Sequence, residues 1–276
     1  WRLALLGVFA TWNAAFFPAG DVLLLFVVVG VVLFLTRSWS DRAIGVAAVV
    51  LLLQPVEWYH YIANLINPAH RLPDLNVAEM YGEVADYTKA GNWRDFLLGN
   101  VTLGQKASFL WAVNAGRFVQ TAGLFLLGFF IGRKQLFMTN EKNIVFWTKV
   151  LIISAISFAP LYTLKELVME NDPIVQQTVG TAFDMWQKLA FTLVLVASFI
   201  LLYQHKNFSK AVAGLRFYGK MSLTNYISQS IIGAFIYFPI GLNLAPYCGY
   251  TLSLSVGFLI FLLQLKFCKW WLARHK

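Results

Sequence analysis

Long apolar runs, separated by short charged hinges, recur along most of this chain. The runs are continuous rather than alternating, as in 22–34 and 190–202. A continuous run suits a helix in lipid, where every backbone polar group must be satisfied within the segment, and argues against a β-barrel. Composition agrees: 59% of residues are hydrophobic and 13% are charged, against about 25% charged in a soluble domain. The expected fold class is therefore all-α, a polytopic transmembrane helical bundle.

A span needs about 20 mostly apolar residues. Eight candidate segments emerge, at 3–17, 22–36, 43–63, 108–132, 144–164, 182–203, 222–241 and 250–271. The first two are short and are joined tightly through Pro18-Ala19-Gly20-Asp21. They read as a thin spanning hairpin or as a buried re-entrant pair. Residues 64–107 form the one long connection, with turn chemistry at Asn67-Pro68, Arg71-Leu72-Pro73-Asp74 and Ala90-Gly91-Asn92. Within it, amphipathic helices are expected over 77–89 and 92–98. Residues 1–276 read as a single integral-membrane domain. The chain opens on Trp1 without an initiator Met, so a piece of a longer protein is expected.

The net charge of +9 does not point to nucleic acid, because the basic residues sit in alternate hinges. Arg37 and Arg42, then Arg133, Lys134 and Lys142, then Lys206, Lys210, Arg216 and Lys220, and finally Lys269, Arg274 and Lys276 mark one side. The other hinges are neutral, acidic or, over 64–107, balanced at four Lys/Arg against five Asp/Glu. By the positive-inside rule both ends face the cytoplasm and 64–107 lies outside. The expected partners are the lipid bilayer, whose anionic headgroups attract the basic hinges, and a small-molecule substrate; oligomeric state is not legible. Cys248 and Cys268 fall near opposite ends of the last run, too far apart for a disulfide. No metal-ligand spacing and no cofactor motif occurs.

Ionisable side chains inside a span are costly and are functional candidates by default. Asn13, Asp21, Glu57, His60, Arg117, Gln120 and the pair Asp184 and Lys188 all fall toward the outer ends of their segments. An outward-open polar pocket is the expectation. Asp21, Arg117, Gln120, Asp184 and Lys188 would bind substrate there, with His60 as general base and Glu57, three residues earlier, orienting its ring. Each has a plainer reading: a self-neutralising Asp184/Lys188 pair, a snorkelling Arg117, and wet interfacial Glu57 and His60. A second polar group, Lys220, Ser222, Thr224, Asn225 and Gln229, lies with Arg133 toward the other face. Asn225 and Gln229, four apart, serve equally well as interhelical glue. Gly128 and Gly132 form a GxxxG, a weak signal for close helix approach.

Three stretches carry a resemblance. They are Phe16-Phe17-Pro18-Ala19-Gly20-Asp21-Val22-Leu23, the segment from Arg117 through Gly123 and Gly128 to Gly132-Arg133, and Tyr218-Gly219-Lys220-Met221-Ser222-Leu223-Thr224-Asn225-Tyr226 running into Gln229-Ser230. In this order they resemble the YeiB-like family of bacterial inner-membrane proteins, which carry the domain of unknown function 418. Residues 108–276 are most similar to the family's C-terminal domain. The chain departs from the family in lacking its first helix and its terminal tail, and in carrying Asn13 where His is common and Lys220 where Arg is common. The resemblance implies residence in a bacterial inner membrane. It also implies, by fold-level analogy only, likeness to multi-span acyltransferases. That reading sets an acyl-CoA donor at the Arg133/Lys220 face and an acceptor at the outer pocket. A transporter of a small anionic metabolite, with Arg117 as counter-ion, and a non-catalytic membrane scaffold are the alternatives.

Overall fold

The computed structural model describes residues 1–17 and 20–275. It is helical, with no strand among the described residues. The helices are α1 (Arg2–Phe16), α2 (Leu23–Thr36), α3 (Asp41–Leu52), α4 (Pro55–Ile66), α5 (Val77–Lys89), α6 (Trp93–Gly99), α7 (Gln105–Asn114), α8 (Arg117–Arg133), α9 (Glu141–Met169), α10 (Pro173–Val175), α11 (Thr181–Tyr203), α12 (Lys206–Val212), α13 (Leu215–Lys220), α14 (Ser222–Tyr237) and α15 (Tyr250–Arg274). Two π-turns, Asn100–Gly104 and Gln176–Gly180, are inserted between α6 and α7 and between α10 and α11. Pro18 and Ala19 of the expected hairpin turn, and Lys276 of the basic tail, lie outside the described residues.

Three helical segments are long and apolar enough to cross a membrane: α9, α15, and the 173–203 segment that ends in α11. Two bent pairs raise the number to five if each counts as one span. The expected eight unbroken spans are thus not what the helices display. The 43–63 run is interrupted between α3 and α4 with a 48° bend. Pro55 brings no amide hydrogen to a continuing helix, and Gln54 before it takes the left-handed φ of 58°. The 108–132 run breaks more sharply at Gly116, whose φ of 62° suits glycine. Its first part belongs to the helical stretch that begins at Trp93, so the 64–107 connection is largely helical. The expected amphipathic helices are there, as α5 and α6. α1, α2 and α14, of 15, 14 and 16 residues, are short for a span.

The chain divides into two compact units. The first comprises Trp1–Leu24, Asn76–Leu110 and Asn207–Lys276. Its core sets Phe96, fully buried, against Ala234, Ile240, Phe16 and Phe238. A smaller cluster joins Val84 and Ala107. Polar contacts tie α13, α14 and α15: the Gln264 amide donates to the Asn225 carbonyl (3.1 Å) and to Ser228 Oγ (2.7 Å), while Gln229 donates to Gln264 Oε1 (3.0 Å) and Tyr218 Oη (2.6 Å).

The second unit comprises Leu25–Leu75 and Trp111–Lys206. Here α9 lies along α11 and α3 along α8. Ile44, Ala48 and Leu126 form one core cluster, and Ile131, Trp147 and Ala197 another. Close approach of α3 and α8 occurs at Gly123, where a Cβ would stand 2.8 Å from Leu52 Cγ. The GxxxG glycines Gly128 and Gly132 have nothing within 4 Å of that position, so the close contact falls elsewhere on the helix than the motif suggests. The basic hinge pairs with α3: Arg133 Nε lies 3.1 Å and Lys134 Nζ 2.7 Å from the Asp41 carboxylate, and Arg133 donates to the Trp39 carbonyl at 2.8 Å.

Candidate functional site: a cationic cavity at three chain interruptions

Within the second unit three irregularities of the backbone converge. They are the α3–α4 break, the start of α8 at Gly116, and the π-turn that leads into α11. A Cβ on Gly116 would sit 2.9 Å from Glu57 Oε1, 3.4 Å from Thr181 Cγ2 and 3.5 Å from Gln54 Oε1. Gln54 follows the end of α3, Glu57 lies in the first turn of α4, and Thr181 follows the π-turn. Interrupting a helix in lipid leaves carbonyls that a neighbour must satisfy. Trp186 on α11 does so, donating its indole N–H to the Leu52 carbonyl at 2.8 Å. Gln54 and Glu57 are buried, and neither polar atom of the Gln54 amide has a hydrogen-bond partner among the described residues. The first amides of α8 have no intrahelical acceptor, and the helix dipole draws negative charge to this end.

Arg117 is the first residue of α8. It reaches Gln120 Oε1 with Nη1 (3.3 Å), lies 5.5 Å over the Trp111 ring, and keeps its Nε buried with no partner. Gln120 in turn donates to the Met185 carbonyl at 3.3 Å, tying α8 to α11. Asp184 is gripped from two sides, by Lys165 Nζ on α9 at 3.1 Å and by Lys188 one turn along α11. The carboxylate is 20% exposed, Lys165 25% and Lys188 47%, so the charges are held at the rim of the cavity rather than sealed in it.

Arg117, Lys165, Asp184 and Lys188 line a cavity of about 340 Å³ together with Trp111 and Gln176, and Gln120 lies behind Arg117 outside the lining. The lining carries one carboxylate and three cations, an excess of two positive charges, and Arg117 Nε has no hydrogen-bond partner among the described residues. A volume of this order lies at the lower end of small-molecule sites, roughly 300–1,000 Å³. Chemically, such an arrangement holds an anion: a fork of donors from Arg117 with point charges from two lysines.

The structure therefore groups Arg117, Gln120, Asp184 and Lys188 as neighbours in one unit. Asp184 and Lys188 are indeed paired, but Lys165 makes the pair a cationic triad. The sequence offered no signal for Lys165, because its partner is nineteen positions away on another helix. Asp21 belongs to the first unit, where its carboxylate meets Asn13 and Tyr226. His60 stacks on His70, with Nδ1 3.1 Å from His70 Nε2, while Glu57 turns toward Gly116. Of the other polar group, Lys220, Ser222, Thr224 and Gln229 are exposed in the first unit and Asn225 is buried there against Cys268 Sγ at 3.3 Å; Arg133 belongs to the second unit. Gln264, which joins Asn225 and Gln229, is a residue that motif reading passes over. Both cysteines are free thiols. Among the described residues no group of three or more His, Cys, Asp or Glu could hold a metal ion.

A helical chain with three to five apolar spans, broken helices and a cationic cavity is a polytopic membrane protein. It belongs to the family described as protein of unknown function DUF418, which matches residues 131–276, a little over half of the chain. The matched region holds Lys165, Asp184 and Lys188 but not Arg117. No curated protein and no solved structure matches the chain.

Proposed function

We propose that this protein binds a small organic anion, a carboxylate or phosphate monoester, in its second unit and carries it across the bacterial inner membrane. The observation that carries the reading is the excess of cations, Arg117, Lys165 and Lys188 against Asp184, around a cavity where helices are interrupted. Broken helices whose N-termini face an anionic group are a recurring device of secondary transporters. Arg117 is the anion's main contact, and Asp184 holds the two lysines in place and is the carboxylate an incoming anion would displace.

The test is binding of radiolabelled carboxylates and phosphate monoesters to the purified protein, followed by uptake into proteoliposomes. Arg117→Ala is expected to weaken binding about 10- to 100-fold, the loss of a charge-assisted contact of ~1.5–3 kcal/mol. A ligand bound equally by wild type and by Arg117→Ala and Lys165→Ala variants would sink the proposal.

Acyl transfer is a second reading, supported by the paired imidazoles of His60 and His70. One ring accepts a proton while the other positions it, as a general base requires. It predicts covalent acyl product from a labelled acyl-CoA, lost in His60→Ala, where transport predicts unmodified label.

A further inference from the structure

In the first unit the Asp21 carboxyl group has an asymmetric environment. Oδ1 receives the Asn13 amide at 2.9 Å, the Leu23 backbone N–H at 3.2 Å and the Tyr226 hydroxyl at 3.4 Å, and the Leu24 backbone N–H also bears on the carboxyl group. Oδ2 is buried and receives no donor among the described residues. Asn13 shows the complementary defect, since its Nδ2 is used and its buried Oδ1 has no donor. Asn13 is fully buried and Asp21 is 6% exposed. Turning the Asn13 amide over would set its oxygen against Asp21 Oδ1, so the orientation with Nδ2 toward Asp21 is the consistent one.

Two unsatisfied acceptors on one hydrogen-bonded pair are costly if left as they are. A single proton shared between Asp21 Oδ2 and Asn13 Oδ1 would remove both defects. We infer that Asp21 is a proton-binding site, carrying its proton on Oδ2 and donating it to Asn13 Oδ1. The two side chains then form a closed acid–amide ring with one bond in each direction. The donors around the carboxyl group favour its ionised form, but the desolvation of the buried group outweighs them. Tyr226 on α14 is the titratable group among its partners, and it donates as a phenol. Ser108 on α7 donates to the Asp21 backbone carbonyl at 3.0 Å. Asp21 enters no ion pair with a Lys, Arg or His among the described residues. A carboxylate with no cation near it, buried among helices, is the form that desolvation disfavours.

The proton ties the C-terminal half of α1 to the turn that opens α2. Removing it leaves Asp21 Oδ2 and Asn13 Oδ1 as two buried acceptors with nothing between them, which weakens that tie. The site is independent of the anion cavity and stands or falls separately.

The experiment uses the full chain in detergent or nanodiscs. Infrared difference spectra of wild type minus Asp21→Asn near neutral pH should contain a protonated-carboxyl C=O stretch that shifts in D2O. Loss of carboxylate bands instead overturns the proposal. The Asp21→Asn protein should also melt no lower than wild type, because an amide at position 21 rebuilds the ring with Nδ2 as donor. Its melting temperature should hold as pH rises above the ordinary carboxyl range, where the wild type's falls until the folded Asp21 has lost its proton. If Asp21→Asn does not fold, Asn13→Ala in a chain with Asp21 intact decides the matter. The carboxyl stretch should move or vanish when its acceptor is removed, and an unchanged spectrum overturns the proposal.

Discussion

Tyr87 illustrates how much one polar contact carries in the first unit. Its hydroxyl donates to Asn100 Oδ1 at 2.8 Å, and the Asn100 amide donates to the Ala15 carbonyl at 3.0 Å, so one relay links α5, the first π-turn and α1. Asn100 is fully buried. Tyr87→Phe would strand its oxygen and cost ~1–3 kcal/mol, read as a lower melting temperature with the helical signal intact at room temperature. Burial pushes the Tyr87 phenol up to about 12, so it remains a donor through the physiological range. The stability it adds is present below the ordinary tyrosine value of ~10 and is lost as pH climbs through the folded one. The alkaline part of the wild-type pH profile should therefore flatten in the Phe variant. At this scale the sequence is legible where partners are one helical turn apart, as for Asp184 and Lys188. It is silent where they are brought together by tertiary packing. Nothing in the order of residues joins Lys165 to Asp184, Tyr87 to Asn100 or Gln229 to Gln264.

Elements were legible by hydropathy, and their interruptions only in part. Pro55 carries a signal for the break after α3, since the residue before a proline is driven out of the helical region, but the reading of 43–63 as one span passes over it. The break at Gly116 carries no comparable signal, since a lone glycine is tolerated inside helices. The π-turns carry none. Glycines show the same limit, for Gly128 and Gly132 match a motif and touch nothing, while Gly123 matches none and abuts Leu52. Substitution separates the two. Gly123→Ala places a methyl group 2.8 Å from Leu52 Cγ and 3.2 Å from the Leu52 backbone nitrogen. Overpacking of that kind costs about 1–3 kcal/mol. Gly128→Ala meets open space and removes the entropic penalty of glycine in a helix, a gain of roughly 0.5–1 kcal/mol. The two melting temperatures should move in opposite directions. A Gly123→Ala protein as stable as wild type would mean that α3 and α8 do not rely on this contact.

For the molecule as a whole, the hinges that set membrane orientation can be read against the free thiols. Cys268 is buried, while Cys248 is part-exposed in a stretch between α14 and α15 that contains no charged residue. The basic cluster Lys206, Lys210, Arg216 and Lys220 lies before α14. Positive charge is retained on the cytoplasmic side, so Cys248 is expected to face outward and Lys210 inward. In intact cells an impermeant maleimide should label wild type at Cys248. In a Cys248→Ser background, Asn92→Cys should react from outside as Cys248 does, and Lys210→Cys only after the membrane is opened. Asn92 is the sharper probe of the pair because its hinge is close to charge balance, with four basic residues against five acidic over 64–107. Its sidedness therefore depends on the strongly basic hinges elsewhere in the chain. Labelling of Asn92→Cys and Lys210→Cys from the same side would require an odd number of crossings to be lost or gained between them. It would remove the outward assignment of the 64–107 connection while leaving the helical architecture untouched.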